Sequence, residues 1–163
     1  MTAFEKVRLG LTIFAAVGSG LMGGLFFVFS VAVMKALSSI PANQGMAAMQ
    51  AINRVIVNPL FLSVFMGTAA ACGILAGMSF MQIRSVPAIC ILVASLSYLA
   101  GTIFVTAVFN VPKNNALDLI TPDNPAIASL WSDYIASWTA WNHVRTLSCL
   151  GAASLFTVAL RLL

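Results

Sequence analysis

Apolar residues run along this chain in four long blocks, at about 9–34, 57–80, 86–109 and 141–163, separated by one short polar break and two longer ones. Each block holds about 20 residues or more, enough for a helix to cross a hydrocarbon core of about 30 Å. Backbone amides find no water in that phase, so the blocks predict helices. The expected fold is all-α: an integral membrane four-helix bundle forming one domain over residues 1–163, with short amphipathic helices in loops 1 and 3.

The breaks refine this outline. Gln82 to Ser85 is a tight turn between the second and third spans. In the first loop, Pro41 opens a short helix running towards Val57, and Asn58-Pro59 supplies an N-cap and first-turn proline for the second span. In the third loop, Pro112 is predicted to end the helix at Asn110-Val111, because proline cannot continue the hydrogen-bond ladder. Thr121-Pro122-Asp123-Asn124-Pro125 reads as a turn, and from Ala126 a helix can run into the last block. Loops 1 and 3 share one side of the membrane and most of the polar residues, so a site is expected there. Ala51-Ile52-Asn53-Arg54-Val55 echoes Ala140-Trp141-Asn142-His143-Val144, a repeat that would make two parallel hairpins with Asn53 and Asn142 at similar depth. Gly20 and Gly24 in span one, and Gly73 and Gly77 in span two, are four apart and predict flat faces for close packing in the bundle or with a second copy of the chain.

Composition excludes several classes. Of 163 residues, 61% are hydrophobic and 7% charged, and the mean hydropathy is +1.01, far from a soluble domain. The first block follows Lys6 and Arg8, but it is too long for a cleavable signal and no A-x-A site follows, so it reads as retained. The +4 net charge is scattered singly, which argues against nucleic acid. With Arg54 and Arg145 set aside as membrane-embedded, Lys6, Arg8, Arg84 and Arg161 outnumber Lys35 and Lys113, which favours both termini on the cytoplasmic side. Cys72, Cys90 and Cys149 fall within spans without C-x-x-C spacing and read as packing residues. One histidine with Glu5, Asp118, Asp123 and Asp133 does not make a carboxylate-bridged metal site, and no P-loop, dinucleotide fingerprint or Ser-His-Asp set is present. No metal and no cofactor is expected.

The polar residues that remain near the spans carry the candidate chemistry. His143, the single histidine, sits in the run Trp138 to Thr146 where a loop turns into the last span, and a cation so near hydrocarbon is a functional-site hypothesis by default. On one helix, Trp131, Tyr134, Trp138, Trp141 and Arg145 recur at steps of three and four with Asn142 beside them. They form either a pocket wall or an interfacial aromatic belt; a belt does not account for Arg145 and Asn142 on the same face. His143 points about 100° or more from the stripe, so either the helix begins irregularly near Trp141 or His143 flanks the pocket. Tyr98, Thr102, Thr106 and Asn110 line one ridge of span three, facing helices or a cavity, with Asn110 expected near Asn142. Met46, Met49, Gln50 and Asn53 share a face suited to a flat, partly polar ligand, and Arg54 either joins the site or snorkels to the interface.

Phe109-Asn110-Val111-Pro112, Asn114-Asn115, Trp131, Tyr134, Trp138 and Trp141-Asn142-His143-Val144-Arg145-Thr146, with Gln50-Ala51-Ile52-Asn53 and Asn58-Pro59 upstream, resemble the anthrone-oxygenase-like family of small membrane proteins. The resemblance implies oxidation of a polycyclic anthrone to its quinone by molecular oxygen, without metal or flavin. It further implies His143 as base, Arg145 with Asn142 or Asn110 holding an enolate oxygen, and Trp138, Trp141 and Tyr134 stacking on the rings. Asn53 and Tyr98 complete the expected binding set, and Lys113 stands where a more apolar residue is expected. The expected partners are a hydrophobic aromatic small molecule and the bilayer, and the expected location is a bacterial inner membrane. A non-catalytic lipid- or quinone-binding protein and an accessory membrane subunit remain alternatives.

Overall fold

The computed structural model describes residues 1–121 and 123–163, and the expected turn at Pro122 lies outside the described residues. Four helices are long and apolar enough to cross a membrane: α1 (Ala3–Ser38), α3 (Pro59–Phe80), α4 (Val86–Asp118) and α5 (Ile127–Leu162). A shorter helix, α2 (Ala42–Val55), occupies the first long loop. The spans form a closed ring in which α5 packs on α1 and α4, and α3 completes the circle between them. Across the loop end of the ring lies α2, touching the end of α1, the end of α4 and α5.

Local sequence sets the helix starts. Thr2 and Glu5 form a reciprocal capping box on α1, with Thr2 N–H donating to Glu5 Oε2 at 2.8 Å. Asn58 Oδ1 accepts from Phe61 N–H at 3.0 Å and Pro59 fills the first turn of α3. Ser85 caps α4 through Ala88 N–H, with a proline again in the first turn.

Wide π-type turns interrupt α1 at Phe29–Val33 and α4 at Leu99–Phe104 and Thr106–Asn110. The last of these overturns the predicted helix end at Asn110-Val111. Val111 N–H reaches back five residues to Thr106 O, opening the turn just before Pro112. An open turn relieves the crowding that a proline ring imposes on the preceding carbonyls, so α4 continues to Asp118.

A further expectation is corrected. A Cβ built on Gly20, Gly24, Gly73 or Gly77 meets nothing within 4 Å, so these faces take no part in the bundle's close packing. Gly18, Gly23 and Gly101 serve that purpose instead: a Cβ on Gly101 would lie 1.9 Å from Ser148 Oγ, and one on Gly18 1.9 Å from Thr68 Oγ1. The two halves of the expected hairpin repeat also differ locally. Asn53 stands in the last turn of α2, which ends at Val55 before the separately capped α3, whereas Asn142 lies inside the unbroken α5.

Two buried clusters result. One, through the bundle, joins Ala15, Cys72, Leu75, Ile91, Ala94, Tyr98, Cys149 and Phe156. The other, at the loop end, joins Met34, Met46, Met49 and Leu117 with Trp131, Tyr134 and Trp138.

Candidate functional site

Where the clusters meet, the helices enclose a cavity of about 220 Å³. Phe26 and Phe29 of α1, Phe61 and Phe65 of α3, and Trp138 of α5 give it aromatic walls, and Met49 and Ile52 of α2 roof it. Its polar groups are few: Asn53, Thr106, Asn114 and Arg145.

Arg145 is the centre of this arrangement. It is 5% exposed, and its guanidinium lies 4.3 Å from the Phe26 ring centroid and 5.0 Å from that of Trp138. Nη2 donates to Asn142 Oδ1 at 2.7 Å, and Nη1 makes a long contact of 3.4 Å with Thr106 Oγ1. Its Nε has no partner. Asn142 is itself anchored, donating from Nδ2 to Phe26 O and to Ser30 Oγ, both at 2.7 Å. The Phe26 carbonyl precedes the wide turn of α1, where it shares the Phe29 N–H with Leu25 O and keeps a lone pair for Asn142. Asn142 therefore orients Arg145 and ties α5 to α1.

A second layer fixes the aromatic wall. Asn114 Oδ1 accepts from Tyr134 Oη–H and from Trp138 Nε1–H, each at 2.9 Å. Asn110 Nδ2 donates to Trp138 O at 3.3 Å, leaving its own Oδ1 without a partner. Asn110 thus neighbours the turn below Asn142 without bonding to it. Asn53 lines the cavity, and its Nδ2 is sequestered without an acceptor.

Tyr134, expected to stack on a ligand, stands with Asn110 and Asn142 behind the cavity wall and does not line it, and three more expected site residues stand elsewhere. His143 is exposed and lines a separate outer groove with Lys35, not the cavity. The helix is regular from Ile127 to Leu162, so the irregular start at Trp141 that would have turned His143 inward does not occur. Trp141 stacks on Phe109 with ring centroids 3.6 Å apart and does not line the cavity. Tyr98 is fully buried in the bundle and donates to Phe65 O at 3.1 Å. Arg54 neither joins the site nor lies free, pairing with Asp118 at 2.6 Å on the surface. Gln50 also has a structural role, donating from Nε2 to Leu117 O and Ile120 O at 2.8 and 3.0 Å and clamping α2 to the end of α4.

Sequence reasoning did not single out Phe26, Phe29 and Ser30 of α1 or Phe61 and Phe65 of α3. A phenylalanine-dense stretch within a span marks packing as readily as a cavity wall. Among the described residues no three His, Cys, Asp or Glu side chains come together as metal ligands.

No curated protein and no solved structure matches the chain. Residues 61–155, more than half of its length, match the family described as anthrone oxygenase. The matched stretch contains Phe61, Phe65, Thr106, Asn110, Asn114, Trp138, Asn142 and Arg145, about half of the cavity lining with most of its polar network, while the α1 wall and the α2 roof precede it; the chain belongs to the anthrone oxygenase family.

Proposed function

We propose that the cavity binds a compact, flat aromatic ketone or phenol from the bilayer and promotes its oxidation by molecular oxygen. The observation that carries this reading is Arg145: a desolvated guanidinium on an otherwise apolar wall, with an unused Nε donor. A buried donor without a partner costs about 1–3 kcal/mol, and more when charged, so a ligand oxygen placed there recovers that cost. Asn53 adds a side-chain amide to the same lining, which suits a ligand with a second polar oxygen. The volume of about 220 Å³ lies below the 300–1,000 Å³ of drug-sized sites, favouring two or three fused rings over a long-chain quinone.

In an anthrone the CH₂ group opposite the ketone is acidic because its anion is an enolate. Arg145 holds the enolate oxygen and thereby lowers the cost of losing the proton. The proton leaves to water, since no imidazole or carboxylate lines the cavity. The enolate carbon then bonds to O₂, and loss of water leaves a carbonyl: one oxygen atom stays in the product, and the other departs as water with the two hydrogens. Asn142 acts as a positioning residue through Arg145, and Trp138 is the stacking wall. On the charge distribution, with Lys6, Arg8, Arg84 and Arg161 still outnumbering Lys35, Lys113 and the surface-exposed Arg54, both termini face the cytoplasm and the site lies towards the opposite leaflet of a bacterial inner membrane.

The test is oxygen uptake by the protein in nanodiscs with a panel of anthrones, corrected for spontaneous autoxidation. Catalysed uptake lost in Arg145→Met supports the reading. Background uptake across the panel, with ligand still bound unchanged, makes the cavity a binding site only.

A further inference from the structure

We propose that the outer groove between α1 and α5 binds the phosphate headgroup of an anionic phospholipid. The groove, of about 420 Å³, is lined by Lys35 and His143 together with Ser30, Ser38 and Thr139; the Ser38 hydroxyl donates to its own helix at Lys35 O, at 2.8 Å. No acidic side chain lines it. Thr139 Oγ1 is sequestered without a partner. Ser30 Oγ accepts from Asn142, so its own proton is free to donate. A cation and an imidazole on one open groove, with the Ser30 hydroxyl beside them, suit a phosphate diester.

The position selects a lipid over a soluble anion. Lys35 lies about 40 Å above Arg8 along α1 at 1.5 Å per residue, matching the roughly 40–45 Å between opposite headgroup layers. His143 lies about 27 Å from Arg161 on α5, close to the edge of a hydrocarbon core of about 30 Å. Phe27 and Val31, 50% and 47% exposed, continue down α1 from Lys35, and Leu147, 72% exposed, continues down α5 from His143. These residues offer an apolar track for an acyl chain directly beneath the phosphate position.

The site is independent of the cavity reading, because Arg145 does not line it. The full chain is reconstituted in phosphatidylcholine nanodiscs carrying spin-labelled phosphatidylglycerol or spin-labelled phosphatidylcholine, and the motionally restricted lipid is measured. One cation near an anionic headgroup contributes about a fivefold preference, so phosphatidylglycerol should be restricted about fivefold over phosphatidylcholine. The preference should fall in Lys35→Gln, disappear in the Lys35→Gln/His143→Gln double variant and survive in Lys35→Arg, which keeps the charge and controls for folding. Equal restriction of the two lipids, or a preference unchanged in the double variant, overturns the proposal. So does lysine-dependent retention of inorganic phosphate by the detergent-solubilised protein without any lipid preference, which reassigns the groove to a soluble anion.

Discussion

Through most of the bundle, α1, α3, α4 and α5 meet over alanines and cysteines interleaved with Leu75, Ile91, Tyr98 and Phe156, with Gly18 and Gly101 at the closest approaches, and at the loop end they meet over methionine and aromatic rings. The small-residue region brings helices close enough that Gly18 and Gly101 leave no room for a Cβ. The loop end keeps them apart, and the space between becomes a cavity walled by rings and roofed by α2. Lipid supplies no hydrophobic force between helices, so tight packing of small residues stabilises the first region. The second is held by side-chain hydrogen bonds, from Asn142, Asn114 and Gln50. One region supplies rigidity and the other supplies a site.

The strongest test of that division removes the cavity's charge. Arg145→Met keeps length and apolar contact but loses the donor, and hydrogen bonds to charged groups are worth about 1.5–3 kcal/mol, or roughly 10- to 100-fold in affinity. Ligand affinity, read by quenching of tryptophan fluorescence, should fall by that factor while the protein stays folded. Removing a desolvated charge offsets the loss of the donor to Asn142 Oδ1, so the thermal midpoint should change little.

Gly101→Ala probes the other region. Its Cβ would lie 2.4 Å from Ser148 Cβ, an overlap that forces the helices apart at a cost of about 1–3 kcal/mol. Gly24→Ala and Gly77→Ala, which meet nothing within 4 Å, should change stability by less than about 0.5 kcal/mol. Thermal unfolding in one detergent separates the two outcomes, and equal losses at all three positions would remove the distinction between close and open glycines.

The glycines also show what was legible in advance. The four spans, the Asn58-Pro59 start of α3 and the inward stripe of Trp131, Tyr134, Trp138 and Arg145 follow from hydropathy and helical spacing, which are local properties. Which glycines make close contact depends on how helices rotate against one another, and Gly20 and Gly24 look no different in sequence from Gly18 and Gly23. The wide turns of α1 and α4 were hidden as well, because such turns have no residue signature. In α4 they take up part of the roughly 40° that each four-residue step drifts on an α-helix, so Thr102, Thr106 and Asn110 all reach α5 while Tyr98 faces α3. The α1 half of the site, Phe26 and Ser30, became visible only through its bonds to Asn142.

Asn114→Ala should have a smaller effect than either substitution above. It leaves Tyr134 Oη–H and Trp138 Nε1–H without their shared acceptor, and a typical hydrogen bond contributes about 1 kcal/mol net. Loosening Trp138 should weaken ligand binding about fivefold, with a modest drop in thermal midpoint. Tyr134→Phe removes one of the two bonds and should cost less than Asn114→Ala in both measurements.

His143→Ala should have the smallest effect on the cavity, and it sharpens the comparison because His143 lies only two residues from Arg145 on the same helix. At about 100° per residue the two side chains leave α5 in opposed directions, one into the cavity and the other into the outer groove. Cavity-ligand affinity and any catalysed oxygen uptake should therefore stay within about twofold of the unaltered protein, inside the roughly 0.5 kcal/mol expected of exposed substitutions. A loss of oxygen uptake with affinity intact would instead make His143 the base. The substrate's proton would then have to pass outward to the groove, and a bonded path, with each donor pointing outward, runs from Arg145 through Asn142 to Ser30. Ser30→Ala would cut that path and should reproduce the histidine variant's loss if the relay exists, and leave uptake unchanged if the cavity works on its own.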